Sequence, residues 1–217
     1  MLVFFLTSSL LSCFRPERRL QIEQAFAKGT TRDGVQVAAN GGIGGVLVLC
    51  WWVNQDPVWF VAYLSAVAAA AADTWGTELG ILSHRRPVII PSMKPATTGM
   101  SGAVSAEGSL AALGGAIMVA ISGIAWISVG DLPIAGAIVV GAGIIGAFID
   151  SILGGTVQVQ YRCVVCDKVT ERANHCGTAA VAARGHAWFD NDIVNCLCTL
   201  GASTFGGVTF YVLRDLR

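Results

Sequence analysis

Long apolar runs, separated by short polar stretches, dominate this chain. A helix needs about 20 predominantly apolar residues to cross a bilayer, and runs of that length cover residues 35–53, 58–82, 108–129, 134–155 and 193–213. They predict an all-α, polytopic integral membrane helical bundle with five spans. The opening MLVFFLTSSLLSCF is apolar but short. It suits a signal sequence, a lipobox ending at Cys13, or the tail of a further span; without a basic leading segment, a partial N-terminal helix is the expectation.

The polar stretches alternate in sign. Residues 14–33 carry Arg15, Arg18, Arg19, Lys28 and Arg32; residues 83–100 carry Arg85, Arg86 and Lys94; residues 156–189 carry Arg162, Lys168, Arg172 and Arg184. The turns around 54–57 and 130–133 hold no Lys or Arg. Cytoplasmic loops collect basic residues, so the basic stretches are expected in the cytoplasm at a cell membrane. Arg214 and Arg217 conflict with this, since five crossings leave the C-terminus outside. Composition agrees with membrane residence: 54% of residues are hydrophobic and 13% charged, against roughly 25% charged in soluble domains. Formal net charge is +0, which gives no reason to expect nucleic acid as a partner. The whole chain, 1–217, reads as a single membrane domain with a cytoplasmic loop at 156–189.

Carboxylates inside apolar runs carry the first functional signal. Asp73 and Glu78 lie in AAAADTWGTELG, Asp150 in GAFIDSILGG, and Asp190 with Asp192 in FDNDIVN. An acid at bilayer depth costs several kcal/mol unless it faces protein, water or a cation. The crossing pattern sends all of them to one cytoplasmic rim. Gly146, Asp150 and Gly154 are spaced i, i+4, i+8, a small-residue stripe that turns Asp150 toward a neighbouring helix. Glu78 lies about 140° round the helix from Asp73, so the two share a site only if the helix loosens near Gly76. One residue of the FDNDIVN run is accounted for as an N-cap, Asp190 or Asn191. Asp192, Asn191 and Asn195 place a carboxylate and amides on the first turn, a set that suits hydrated Mg²⁺.

Phosphate would need donors as well. KPATTGMSGAVS offers Lys94, Thr97 and Thr98, with Gly99 and Gly102 freeing backbone N–H groups; KGTTRDGVQVAAN offers Arg32 and, one turn apart, Gln36 and Asn40. Each loop alone also reads as an ordinary juxtamembrane turn. Acids, amides and cations gathered at a membrane edge suit phosphoryl transfer to a lipid whose tail stays in the bilayer. In YRCVVCDKVTERANHCG, Cys163 and Cys166 form a C-x-x-C pair, and Cys176 with His175 or His186 completes a tetrahedral Zn²⁺ set; reduced, unliganded thiols are the alternative. A bound zinc there would staple the loop rather than catalyse.

The ordered segments KGTTRDGVQVAAN, AADTWGTELG, RPVIIPSMKPATTGMSGAVSAEGSLAALGG, GAFIDSILGGTVQVQYRC and FDNDIVN together resemble the transmembrane protein 19 family, also known as domain of unknown function 92. The likeness covers nearly the whole chain from about Arg15. It implies a multi-pass membrane protein related to a plant phytyl-phosphate kinase, which makes isoprenyl diphosphate from the monophosphate with a nucleoside triphosphate, CTP being the expected donor. Family members begin with further apolar spans, so this chain is expected to start late. The half zinc-ribbon loop departs from the plant and animal pattern.

The leading expectation is therefore a membrane isoprenyl-phosphate kinase. Asp73, Glu78, Asp150 and Asp192 are its catalytic candidates, with Asp73, Asp150 and Asp192 holding Mg²⁺. Arg32, Gln36, Asn40, Lys94, Thr97, Thr98, Asn191 and Asn195 are the phosphate- and substrate-binding candidates. An ion-coupled transporter and a non-catalytic membrane scaffold are the alternatives.

Overall fold

A computed structural model of the chain describes residues 1–13, 34–90, 92–127 and 131–216. The opening apolar stretch forms a short helix α1, Leu2–Cys13. Five longer helices follow: α2, Gly34–Asn54; α3, Pro57–Gly80; α4, Ala106–Gly123; α5, Leu132–Thr156; and α6, Asn191–Asp215. These five are long and apolar enough to cross a membrane. The third ends six residues before the apolar run does, because Ile124–Trp126 tighten into a 3₁₀ turn.

Local chemistry sets the helix starts. Asp56 caps α3 by accepting from the Val58 N–H at 2.9 Å, with Pro57 in the first turn, where a missing N–H costs nothing. Asp190 does the same for α6, accepting from the N–H groups of Asp192 at 3.0 Å and Ile193 at 3.1 Å.

Helix α3 is the centre, in contact with α1, α2, α4, α5 and α6. Its middle is alanine: Ala66 and Ala68 through Ala72 are each no more than 1% exposed. Neighbours meet this narrow surface with glycine. A Cβ on Gly115 of α4 would lie 2.8 Å from the Ala71 carbonyl oxygen, and one on Gly143 of α5 would lie 3.0 Å from the Ala68 Cβ. Gly146 of α5 faces Ala69, and Gly206 of α6 faces Ser65, more closely still. In a bilayer, where lipid tails are as apolar as side chains, such close approach supplies helix association through van der Waals contact. The outward faces carry Leu110, Ile121, Leu200, Val208 and other exposed apolar residues, as lipid contact requires.

The ends of the bundle differ. At one, Arg214 of α6 donates to Asp56 at 2.7 Å and 3.4 Å, and Trp51 packs against Phe60 and Trp126 with ring centroids 5.2 Å and 6.4 Å apart. The α2–α3 turn and the end of α6 therefore lie together. Arg214, one of the two basic residues that conflict with the charge pattern, is thus paired with an acid at this end of the bundle. The guanidinium and the Val58 N–H hold the Asp56 carboxyl below its ordinary range.

The opposite end carries the strands. Between α3 and α4, β1 (Val88–Ile89) pairs antiparallel with β2 (Lys94–Pro95) and β3 (Ala103–Val104). Between α5 and α6, β4 (Gln160–Arg162) lies between β5 (Val169–Thr170) and β8 (Val181–Arg184), while β6 (Asn174–His175) pairs with β7 (Thr178–Ala179). Arg184 anchors this second unit by donating to the Gly154 carbonyl, 2.8 Å away in the last turn of α5, where a cation complements the helix dipole. Burial lowers the pKa of Arg184.

Candidate functional site

Where α3 and α4 cross, Gly76 and Gly80 lie against Gly108, and an added Cβ at Gly80 would sit 3.4 Å from the Gly108 Cα. Around that crossing α3, α4 and α5 line an open groove whose cavity volume is about 140 Å³. Its floor holds Asp73, Gly76 and Thr77 of α3, Ser105, Gly108 and Ser109 around the start of α4, and Ile144, Phe148 and Asp150 of α5. The start of α6 reaches it through Asn191, and the loop 98–104 covers one side.

That loop is seated by a backbone contact. Gly102 has φ +76°, a conformation that L side chains rarely adopt, and a Cβ there would collide with the Gly155 backbone at the end of α5. Gly155 is itself held, since its Cβ would lie 2.7 Å from the Ile90 carbonyl oxygen. The first sheet thus rests directly on the last turn of α5.

Asp73 and Asp150, 77 positions apart in sequence, share this groove. Asp150 is 9% exposed. Gly146 and Gly154 face protein on either side of Asp150, so the stripe points inward as its spacing requires. Asn191 and Thr98 also line the groove, as do Gly99 and Gly102.

The remaining candidates lie elsewhere. Helix α3 is continuous from Pro57 to Gly80, so it does not loosen at Gly76; Thr77 faces the groove and Glu78 is not among its lining residues. Asp192 and Asn195 belong to the first turns of α6 without lining the groove, and Asn195 is 6% exposed. Lys94 and Thr97 are exposed, turned out by the β1–β2 hairpin. Asn40 donates its amide to the Gln36 carbonyl at 3.0 Å, so the two are tied locally along α2, away from the groove. Arg32 lies outside the described residues.

The groove also has lining residues that the sequence reading passed over: Ser101, Ser105, Gln158 and Glu171. Glu171 comes from the strand-rich segment after α5 and accepts a hydrogen bond from the Ser101 hydroxyl. An acid between two halves of a cysteine motif, on a loop returning to α6, was the available signal.

In that segment Cys163, Cys166, His175 and Cys176 converge, their ligand atoms all within 4.8 Å of one another. Four donors at zinc–sulfur and zinc–nitrogen distances from one centre lie about 3.5–3.8 Å apart, so small side-chain movements close the set. His175 Nδ1 is 3.5 Å from Cys166 Sγ and 3.2 Å from Cys176 Sγ. Two positive-φ residues make the tight turns, Asp167 at 58° after the first cysteine pair and Cys176 at 52°. The Val165 N–H donates to Cys163 Sγ at 3.4 Å. The Cys166 N–H, with that donor and His175, brings the Cys163 thiol down to about 6, while Cys166 and burial push Cys176 up to about 11. This Cys/His cluster is capable of coordinating a metal ion. His186 is not part of it.

Comparison with known proteins agrees with the fold. Protein PGR of Arabidopsis thaliana is 32% identical over 219 aligned positions, covering 90% of this chain and 75% of that protein. An uncharacterized membrane protein of Methanocaldococcus jannaschii is 32% identical over 162 positions, covering 73% of this chain and 63% of that protein. No solved structure matches. The family model described as integral membrane protein DUF92 matches residues 1–203, and with the five membrane-length helices this places the chain in the DUF92, or transmembrane protein 19, family of integral membrane proteins.

Proposed function

We propose that the groove binds a divalent cation together with the phosphate of an isoprenyl lipid. On this reading the chain is a kinase converting an isoprenyl monophosphate to the diphosphate. The observation that carries it is the pairing, in one groove, of Asp73 and Asp150 with the N-terminal ends of α4 and α6. Carboxylates attract a hard cation, and helix N-termini attract an anion. Oxygen donors of this kind fit Mg²⁺, with Asp73 and Asp150 as its holders. When bound, it would neutralise phosphate charge. Thr98 and the backbone N–H groups near Gly99 and Gly102 would orient phosphate oxygens, while Ile144, Ala147 and Phe148 offer an apolar wall to the lipid. In the reaction a lipid phosphate oxygen bonds to the terminal phosphorus of a nucleoside triphosphate, CTP being the first candidate. The bridging bond breaks, and the nucleoside diphosphate leaves.

A second reading rests on a different observation. Among the described residues lining the groove there is no Lys or Arg, so its electrostatics favour cations, as in an ion-coupled carrier. One experiment separates the two. Purified protein in detergent is incubated with phytyl, geranylgeranyl or farnesyl monophosphate, Mg²⁺ and each nucleoside triphosphate, and lipid diphosphate is sought by mass spectrometry. Product that disappears in Asp73→Asn and Asp150→Asn supports the kinase. No product under any combination, with cation uptake into proteoliposomes that the same variants abolish, supports the carrier.

We infer further that the cysteine hairpin, residues 163–176, holds a structural Zn²⁺, since three sulfurs and one imidazole supply the four ligands of a closed site. The basic stretches, and with them the groove and the hairpin, are read as cytoplasmic.

A further inference from the structure

The metal-ligand set encloses the groove's outlying acid. Cys166 lies five residues before Glu171 and His175 four residues after it. A metal joining Cys166 to His175 therefore closes a short loop with Glu171 near its middle. The approach to Glu171 is fixed from both sides. Val169 and Thr170 pair with Arg162 and Tyr161 of β4, and Thr170 is 0% exposed. After Glu171, the Arg172 N–H turns back to the Thr170 hydroxyl at 3.2 Å. Contacts that hold this unit against the bundle include Arg184 on the Gly154 carbonyl, the His186 N–H on the Val157 carbonyl at the end of α5, and Glu171 on Ser101. The last of these reaches the loop 98–104 that lines the groove.

We propose that Glu171 is a positioning residue of the groove and that the metal centre seats it there. The inference rests on the reading that the hairpin carries a metal, and it is independent of the kinase reading. Metal binding restricts the loop before it docks, as a cross-link does by removing open conformations. Glu171 then accepts from Ser101 and fixes the cover of the groove. Without the metal, the loop keeps its open conformations, the Glu171–Ser101 contact is made less often, and the cover loosens.

The test uses the full chain in detergent with zinc content measured by elemental mass spectrometry and amide hydrogen exchange followed over residues 97–104. One zinc per chain is expected. Chelation should speed exchange of 97–104 roughly tenfold or more while leaving residues 60–72 of α3 unchanged. Glu171→Ala should keep its zinc and show the same local rise, whereas Glu171→Gln, which retains an oxygen acceptor, should restore protection. A chain without zinc overturns the metal reading and the proposal with it. Full zinc with unchanged exchange on chelation, or in Glu171→Ala, overturns the proposal alone. Neither outcome depends on whether lipid diphosphate is made.

Discussion

Replacing Gly102 by alanine isolates the contact that seats the groove's cover. Gly102 and Gly177 share a φ of +76°, but a Cβ at Gly102 would collide with Gly155 whereas one at Gly177 meets nothing within 4 Å. Alanine in that backbone region costs about 1 kcal/mol at either site. At Gly102 the collision is with backbone rather than a yielding side chain, which adds about 2 kcal/mol for the shift it forces. Gly102→Ala should therefore lose about 3 kcal/mol and Gly177→Ala about 1 kcal/mol. At roughly 2–4 °C per kcal/mol for a chain of this size, the expected Tm decreases are about 6–12 °C and about 2–4 °C. Thermal unfolding in one detergent, followed by circular dichroism on zinc-loaded protein, measures both. Equal decreases would refute the reasoning, because the φ contribution would then account for everything. Exchange at residues 97–104 should rise in the first variant and not in the second.

Further outcomes follow from the site. Asp73→Asn and Asp150→Asn should each lower lipid diphosphate formation by roughly 10²-fold or more, while Glu78→Gln and Lys94→Ala, outside the groove, should leave it within about threefold. The Cys163 thiol sits at about 6 in the folded hairpin, below the free-thiol value of about 8.5. The metal-free cysteine segment should therefore gain stability from Cys163 as pH rises from about 6 to the free-thiol value, and lose stability above it because Cys176 is held protonated up to about 11, read by hydrogen exchange over 160–180. Arg214→Ala should cost about 0.5–1 kcal/mol, since the Asp56 pair is partly exposed and screened. Because the Asp56 carboxyl is held low, the pair's contribution should be complete above about pH 4 and fade on further acidification. A double-mutant cycle with Asp56→Asn, measured by thermal unfolding, tests both.

The helices were legible because apolar length is an unambiguous signal: each expected span corresponds to a helix, and only the end of α4 moved by more than two residues, where the chain tightens at Ile124. Asp150 was legible through Gly146 and Gly154, since a small-residue stripe at helical spacing fixes a face without knowledge of the partner helix. The same periodicity separated Asp73 from Glu78, and α3 kept its regular pitch. Lys94 and Thr97 are exposed and outside the groove's lining. The placement of Lys94 depends on a two-residue strand register between Val88–Ile89 and Lys94–Pro95, too short to leave a pattern. Glu171 was missed because its position depends on contact with Ser101, 70 residues earlier in the chain. Local spacing carries no record of that.

The alanine centre of α3 sets how this molecule can move. Ala66 and Ala68–Ala72 have no rotamers to exchange, and the glycines facing them leave no free space to absorb a displaced atom. An adjustment there has to carry a neighbouring helix as a rigid rod, tilting about a narrow pivot. A small tilt about that pivot is magnified toward the helix ends, so the mouth between α3 and α5 can widen or close by a larger distance than anything at mid-membrane. On the proposed function, a ligand of the groove would then enter and leave by a lever motion of whole helices.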